Sequence, residues 1–383
     1  MVRLFLCGDV MTGRGIDQIL RQPSDPRLHE QYVKGARDYV ALAEEASGPI
    51  PKAVAPDYIW GDALEVWRGR KPDLKIGNLE TAITASEKFA PKGINYRMHP
   101  DNAGVLSAAA FDCLSLANNH VLDWGAGGLR DTIAALDRIG IRHAGAGATQ
   151  QDAQAPAMLE SPGGRLLVFA LGSSTSGIPL DWAAGRHLTP GPSPASQEKG
   201  ARKQESLAGI WLLNRLDHNA VASVRDAVTS HRQPGDTVII SLHWGSNWGY
   251  EVPDAQVRFA HALIDECGAD IVHGHSSHHP RRTEIHNGHP IFYGCGDFIN
   301  DYEGIAGYEE FRGDLALMYF VDFDPAPFRL RKLELVPLQI HRFRLRRAAA
   351  EDARWLLGSL NAASEPFGTR FELAQKDMIK VNL

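Results

Sequence analysis

Ile271–Pro280 reads IVHGHSSHHP: two apolar residues able to end a buried strand, then four histidines, His273, His275, His278 and His279. Seven of the sixteen histidines fall between His261 and His289. Imidazole is the commonest transition-metal ligand, so several imidazoles on one turn behind a strand make a ligand group. A histidine-rich surface turn would look the same. The choice between them rests on whether other strands end in the same way.

They do. Val2–Cys7 is an apolar run that ends in Gly8-Asp9-Val10-Met11. A short strand through Ile76 leads into a polar turn carrying Asn78 and Glu80, and Cys113–Leu116 leads into Asn118, Asn119 and His120. Thr237–Leu242 ends at His243, and Pro290–Tyr293 runs into Gly294-Cys295-Gly296-Asp297, where Asp297 and Asn300 either cap a turn or support a site. Ligands in α/β proteins gather beyond the carboxyl ends of strands. An aspartate cap or an asparagine-rich turn would explain any one of these endings. Their succession points to a shared site. Carboxylate and amide oxygens mixed with imidazoles suit Mn, Fe or Zn, one ion or two. A carboxylate bridging ions about 3.5–4 Å apart would suit hydrolysis.

Between these strands lie helical patterns. Leu129, Ile133, Leu136 and Ile139 share one face; Val221, Val224 and Val228 share another; Val257, Ala260, Leu263 and Ile264 share a third. Strand–helix–strand alternation argues for an α/β fold. Strands near Leu315–Val321 and Lys332–Ile340 are expected to be antiparallel, and a tail helix at Glu351–Asn361 to turn Trp355, Leu356 and Leu360 inward. One domain is expected over 1–341, with 342–383 packing on it as a closing helix and tail. Thr189–Leu207, polar and rich in Pro, Gly and Ser, reads as a flexible insertion within that domain. The proline-punctuated stretch 21–57 reads as an elaborated loop over one edge of the site, with a helix-like piece around Gln31–Glu45.

With 44% hydrophobic and 22% charged residues in 383, the chain has the composition of a soluble globular protein. A net charge of −6 argues against a nucleic-acid partner. No apolar run approaches the ~20 residues of a membrane span. Asp9 interrupts the first hydrophobic stretch too soon for a signal peptide, and a cytoplasmic location is the expectation. Cys7, Cys113, Cys267 and Cys295 are widely spaced beside apolar segments and are expected to be buried free thiols. Oligomeric state is not legible.

The ordered motifs GDVM (8–11), GNLE (77–80), ANNH (117–120), HWG (243–245), GHSSH (274–278) and YGCGDF (293–298) resemble the CapA family, named for poly-γ-glutamate capsule biosynthesis. That family is similar to the calcineurin-like metallophosphatases. The resemblance implies their α/β fold, a central two-sheet β-sandwich flanked by helices in four αββα layers, with divalent metal at the strand ends. It implies Asp9 and His278 at one metal position, and Asn119, His243 and His275 at a second. It also implies that His120 acts with Asp9 in catalysis, as a general acid or a donor to a developing oxyanion. Two departures stand out. Such phosphatases have histidine two residues after the first aspartate, where this chain has Met11, and a bridging aspartate where it has Asn78. Glu80 is expected to supply the missing carboxylate. His273 and His279 are expected to face solvent or to support ligands, and Trp244 and Trp248 to pack.

The function implied is a metal-dependent hydrolase of a phosphoester or a related ester or amide. Its substrate would be a small-molecule or polymeric anion, linked to poly-γ-glutamate or cell-envelope metabolism. The alternative is a non-catalytic binding or assembly component of polyglutamate or capsule synthesis with a degenerate metal site. A zinc amidohydrolase barrel does not fit, because the chain has GDVM where an early His-x-His would stand.

Overall fold

Along the opening strand, Val2–Val10, Leu4 and Leu6 join one apolar cluster while Phe5 and Cys7 join another. Side chains alternate faces with a period of two, so a strand apolar at successive positions is one covered on both sides. Gly164–Ser173 obeys the same rule: Leu166, Val168 and Ala170 enter the cluster that holds Leu4, and Leu167, Phe169 and Leu171 enter a third. The computed structural model describes residues 1–185, 208–375 and 378–382, and the expected insertion Thr189–Leu207 lies outside the described residues.

Three apolar clusters fill the three spaces between four layers. The first packs helices Ala36–Ser47, Ala63–Arg70 and Gly125–Arg138 on the outer face of one sheet, around Phe5, Trp60, Trp67, Phe111 and Phe298. The second lies between the sheets, where Leu4, Leu6 and Ile76 meet Val168, Ile239 and Ile271. The third packs helices His218–His231 and Asp254–Asp265 on the other sheet through Val224, Val228, Phe259 and Leu263. Each such buried side chain contributes roughly 1.5–3 kcal/mol. This αββα order, two sheets flanked by helices, is the layering that the resemblance implied.

The first sheet runs Phe371–Leu373, Ile379–Val381, Phe328–Ile340, Leu315–Pro325, Val2–Val10, Leu74–Leu79, Cys113–Ser115, Arg142–Ala144. The second runs Leu212–Leu213, Gly164–Ser173, Thr237–His243, Ile271–His275, His289–Phe292, Thr283–His286. Leu315–Pro325 and Phe328–Ile340 are antiparallel, as expected. The tail helix Ala350–Ser364 sends Leu356 and Leu360 into the inter-sheet cluster, with Trp355 half-buried against it. All four cysteines are free and buried. Among the described residues no helix is long and apolar enough to cross a membrane.

Strand register then lines up polar residues at one end of the sandwich. Asp9 stands opposite Asn78 on one side and opposite Asp297 on the other, and His243 stands opposite His275. The second strand therefore runs beyond the turn expected after Ile76. Leu74–Leu79 keeps Asn78 in the sheet, because its backbone pairs with both Asp9 and Ser115 and a turn would strand those groups. Against this neighbour, the opening strand carries one extra residue between Leu6 and Asp9. Such a bulge bends a strand and re-aims the side chain that follows it.

Candidate metal centre

Gly8 makes the approach at that bulge possible: a Cβ there would sit 1.8 Å from the Gly296 carbonyl oxygen. Gly8-Asp9 and Gly296-Asp297 thus lie side by side on parallel neighbours, and both carboxyl groups reach one pocket. Asp9 is fully buried, with Oδ1 accepting from Asn78 Nδ2 at 2.7 Å and Oδ2 from the Ser276 N–H at 3.0 Å. Ser276 holds φ at 98°, in the region that favours glycine. Strain of this kind costs about 1–3 kcal/mol and collects at functional sites.

The sites expected from sequence converge, with differences in detail. Asp9 Oδ1 lies 3.7 Å from His275 Nδ1, and the His243 and His275 Nδ1 atoms are 2.9 Å apart. Asp9, His243 and His275 form one group of donor atoms within 4.8 Å of one another; Asp9, His278 and Asp297 form a second. Asp9 is common to both. Asn119 Oδ1 lies 2.9 Å from His243 Nε2 at the half-buried rim. Glu80 is buried beside Asp9, its Oε1 3.6 Å from His120 Nε2, and its Oε2 has no hydrogen-bond partner. Asn78 turns its nitrogen, not its oxygen, toward Asp9. Asn118 enforces this, since its Oδ1 accepts from the His120 and Val121 N–H groups while its Nδ2 donates to Asn78 Oδ1 and the Leu79 carbonyl. In this arrangement Asn78 positions Asp9 instead of offering an oxygen to a cation.

Hydrogen-bond logic also sets the imidazole tautomers. The Cys7 carbonyl can only accept, so His273 Nε2, 2.8 Å away, carries the proton. His273 Nδ1 then accepts from Ser241 Oγ at 3.2 Å, and Ser241 Oγ accepts from His275 Nε2 at 2.8 Å. His275 Nδ1 is left as a lone pair. With the Asn119 oxygen accepting from His243 Nε2, His243 Nδ1 is a lone pair too. Two lone pairs and a carboxylate facing one another repel unless a cation lies among them, and imidazole with carboxylate is the donor set of Mn, Fe or Zn. The residues therefore fit a divalent metal.

Electrostatics agree. Burial, then the neighbouring Asp297, raises the Asp9 pKa to about 7. Burial, then Asp9 and Asp297, holds Glu80 well above the carboxylate range. Burial keeps His243 and His275 neutral, with neighbouring imidazoles adding to it. His278 goes the other way: burial lowers it, but Asp297, 3.0 Å from Nδ1, outweighs burial and the net shift is upward. His120 falls to about 4, mainly by burial. Its Nδ1 meets Asp123 Oδ2 at 2.6 Å, so Nδ1 carries the proton and Nε2 faces Glu80 as a lone pair. An expected proton donor is thus built as an acceptor that must first be protonated.

His273 is fully buried in the relay and does not face solvent. His279 is buried too, packed against the Trp248 and Phe311 rings. Trp244 and Trp248 pack, Trp244 against Tyr293 and Trp248 against Tyr308. The stretch 21–57 does close one side: Glu30 and Tyr39 hold Arg14, which pairs bidentately with Asp301 at 2.6 and 3.1 Å. From sequence Asp297 reads only as a turn cap or a support of the site, and Asp123, Ser241 and Asn118 carry no assigned role. For Asp297 the signal was the repeated Gly-Asp pair. For Asp123 it was an acid three residues after His120. Ser241 and Asn118 gave none.

A family model described as bacterial capsule synthesis protein PGA_cap matches residues 3–302. A probable polyglutamine synthesis accessory protein of Mycobacterium tuberculosis is 43% identical over 384 residues, covering 100% of this chain and 96% of the relative. The PGA biosynthesis protein CapA of Bacillus subtilis is 25% identical over 336 residues, covering 87% and 70%. A solved structure described as a novel phosphatase from Mycoplasma pneumoniae superposes with a TM-score of 0.47 at 11% identity, over 88% of this chain and 93% of that one.

Proposed function

The chain belongs to the bacterial capsule synthesis protein family, and from that membership we propose that it is a metal-dependent hydrolase of phosphoester or related ester or amide bonds in polyglutamate or cell-envelope metabolism. The observation that carries the reading is Asp9, one carboxylate shared by two converging donor groups. Two cation positions follow. Asp9, His243 and His275 would hold one, with Asn119 beside it. Asp9, His278 and Asp297 would hold the other, and Glu80 would add the carboxylate that Asn78 does not provide. Divalent ions at these positions would supply Lewis-acid polarisation and charge neutralisation.

The chain's own groups do the rest. His120, oriented by Asp123, presents Nε2 to the pocket and exchanges a proton there. Lys92 is ion-paired with Asp123 at 2.8 Å and contacts the Asn119 carbonyl, a partly exposed cation at the rim that an anionic substrate, small or polymeric, would share with Asp123. A cytoplasmic location belongs to the same proposal.

Metal analysis of the full chain, joined to hydrolysis of bis(p-nitrophenyl) phosphate, tests it. About two equivalents of Mn, Fe or Zn should copurify or rebind at these two positions. His243→Ala and Asp297→Asn should each lose one, Asp9→Ala both, and His120→Ala should keep the metal but lose roughly 100-fold or more in rate. Metal-free, inert protein would refute the hydrolase and leave the non-catalytic assembly component.

A further inference from the structure

A second group of ligand-type side chains lies on the helix-covered side of the second sheet and shares no residue with the Asp9 centre. His261 and Asp265 stand one turn apart on helix Asp254–Asp265, and Glu284 and His286 share a face of the edge strand Thr283–His286. His261 Nε2 is 2.8 Å from Glu284 Oε1, and His286 Nδ1 is 3.9 Å from that same oxygen. One donor atom from each of His261, Glu284 and His286 lies within 4.8 Å of the others. In a tetrahedral shell with bonds of about 2.0–2.1 Å, donors sit roughly 3.3 Å apart, and the two distances to Glu284 Oε1 lie on either side of that value.

Tyr293 Oη donates to Glu284 Oε2 at 2.8 Å and leaves Oε1 to the imidazoles; without metal, Oε1 accepts from His261 Nε2 at 2.8 Å, a proton that a bound ion would replace. His286 Nε2 lies 2.9 and 3.1 Å from the Asp265 carboxylate oxygens, which also accept from Asn287 Nδ2 at 2.9 Å. An acceptor on Nε2 puts the proton there and leaves the Nδ1 lone pair pointing toward Glu284. A carboxylate behind the far nitrogen of a ligating imidazole is the usual support of a zinc-bound histidine. The His261 and His286 rings stack in parallel, 3.9 Å apart, with their side chains 30% and 19% exposed. An ion binds in the plane of an imidazole, so joint ligation requires one of these solvent-accessible rings to turn out of the stack, and water can fill a remaining coordination position.

We propose that His261, Glu284 and His286 form a site for a first-row transition ion of the zinc class, with Asp265 as the positioning residue for His286. Two imidazoles and one carboxylate select such an ion over Mg²⁺ or Ca²⁺, which prefer oxygen shells. Binding would tie the helix to an edge strand that has a sheet partner on one side only, at the opposite end of the sheet order from Leu212–Leu213.

The test uses the chelator-stripped full chain, titrated with Co²⁺ by visible absorption and with Zn²⁺ by equilibrium dialysis and elemental analysis. His261→Ala and Glu284→Gln should each abolish one equivalent and its tetrahedral Co²⁺ band, while circular dichroism stays unchanged. Asp265→Asn should weaken that equivalent by about 10–100-fold. His243→Ala should leave it intact, so failure of the Asp9 centre and failure of this site are separable. Unchanged stoichiometry and Co²⁺ spectrum in both His261→Ala and Glu284→Gln would overturn the proposal.

Discussion

Replacing Asp9 with asparagine should stabilise the metal-stripped protein above neutral pH and destabilise it relative to the parent once divalent ions are added. The Asp9 carboxyl titrates near 7 in the fold against an ordinary 3.8. An acid whose folded pKa is raised favours the fold only while protonated. Its contribution is lost as pH rises from about 4, and the full penalty stands above about 7. A rise of roughly three units corresponds to about 4 kcal/mol. Asparagine removes that penalty but keeps one acceptor where Asp9 accepts from both Asn78 Nδ2 and the Ser276 N–H. Setting a donor against one of these donors costs about 1–3 kcal/mol. The charge effect wins, leaving Asp9→Asn about 1–3 kcal/mol more stable at pH 8 without metal, a gain that shrinks as pH falls. Saturating Mn²⁺ or Zn²⁺ reverses the order, because a neutral amide cannot balance two cations. Urea denaturation followed by tryptophan fluorescence at pH 8 and pH 5, with and without metal, reads both signs. A stripped variant less stable than the parent at pH 8, or equal stabilisation of both by metal, refutes the reasoning.

Asp301→Ala should cost about 3–5 kcal/mol in urea midpoint terms, because it leaves the buried Arg14 charge without its bidentate partner; a loss below about 1 kcal/mol would show that Glu30 alone suffices. Ser241→Ala breaks the relay that fixes the His275 tautomer and should weaken one metal equivalent about 10–100-fold with circular dichroism unchanged, and undiminished affinity would remove the relay's role. Ser276→Gly relieves a φ of 98° and should raise the thermal midpoint, corresponding to about 1 kcal/mol, as long as the Ser276 N–H still meets Asp9. A lowered midpoint would mean that the serine conformation is not strained.

Much of this was legible because burial on both faces leaves an unbroken apolar run, and such runs ending in polar residues marked strands and site together. The strand ends that carry Asp9, His243 and His275 were marked that way; parallel register aligns the two histidines, and packing between the sheets brings Asp9 to them. What escaped notice depends on side-chain direction. GNLE reads as a turn because asparagine and glycine favour turns, yet pairing on both sides holds Asn78 in the sheet. That Asn78 offers Asp9 a nitrogen follows only from Asn118, which lies 40 residues away in sequence and is itself oriented by the His120 and Val121 N–H groups. His273 and His279 sit in the same histidine-rich stretch as His275 and His278, and composition alone does not separate relay, packing and ligand roles within it.

The division of labour between the sheets explains why the centre forms only in the complete sandwich. Asp9, Glu80 and Asp297 come from the first sheet and the residue just past its second strand, whereas His243, His275 and His278 come from the second sheet and its following turn. Neither half is a site alone: one is a knot of carboxyl groups in low dielectric, the other a set of imidazoles of which His243 and His275 are held neutral. Among the hydrogen bonds that cross between them, one runs from His273 Nε2 to the Cys7 carbonyl and another from the Ser276 N–H to Asp9. The first sets the tautomer that frees His275 Nδ1, and the second orients the shared carboxylate. Ligand geometry is therefore a consequence of inter-sheet packing around Leu4, Leu6, Val168 and Ile271. A cation that draws both halves together stabilises that packing in return, since ligands dispersed in the unfolded chain cannot bind it as a set.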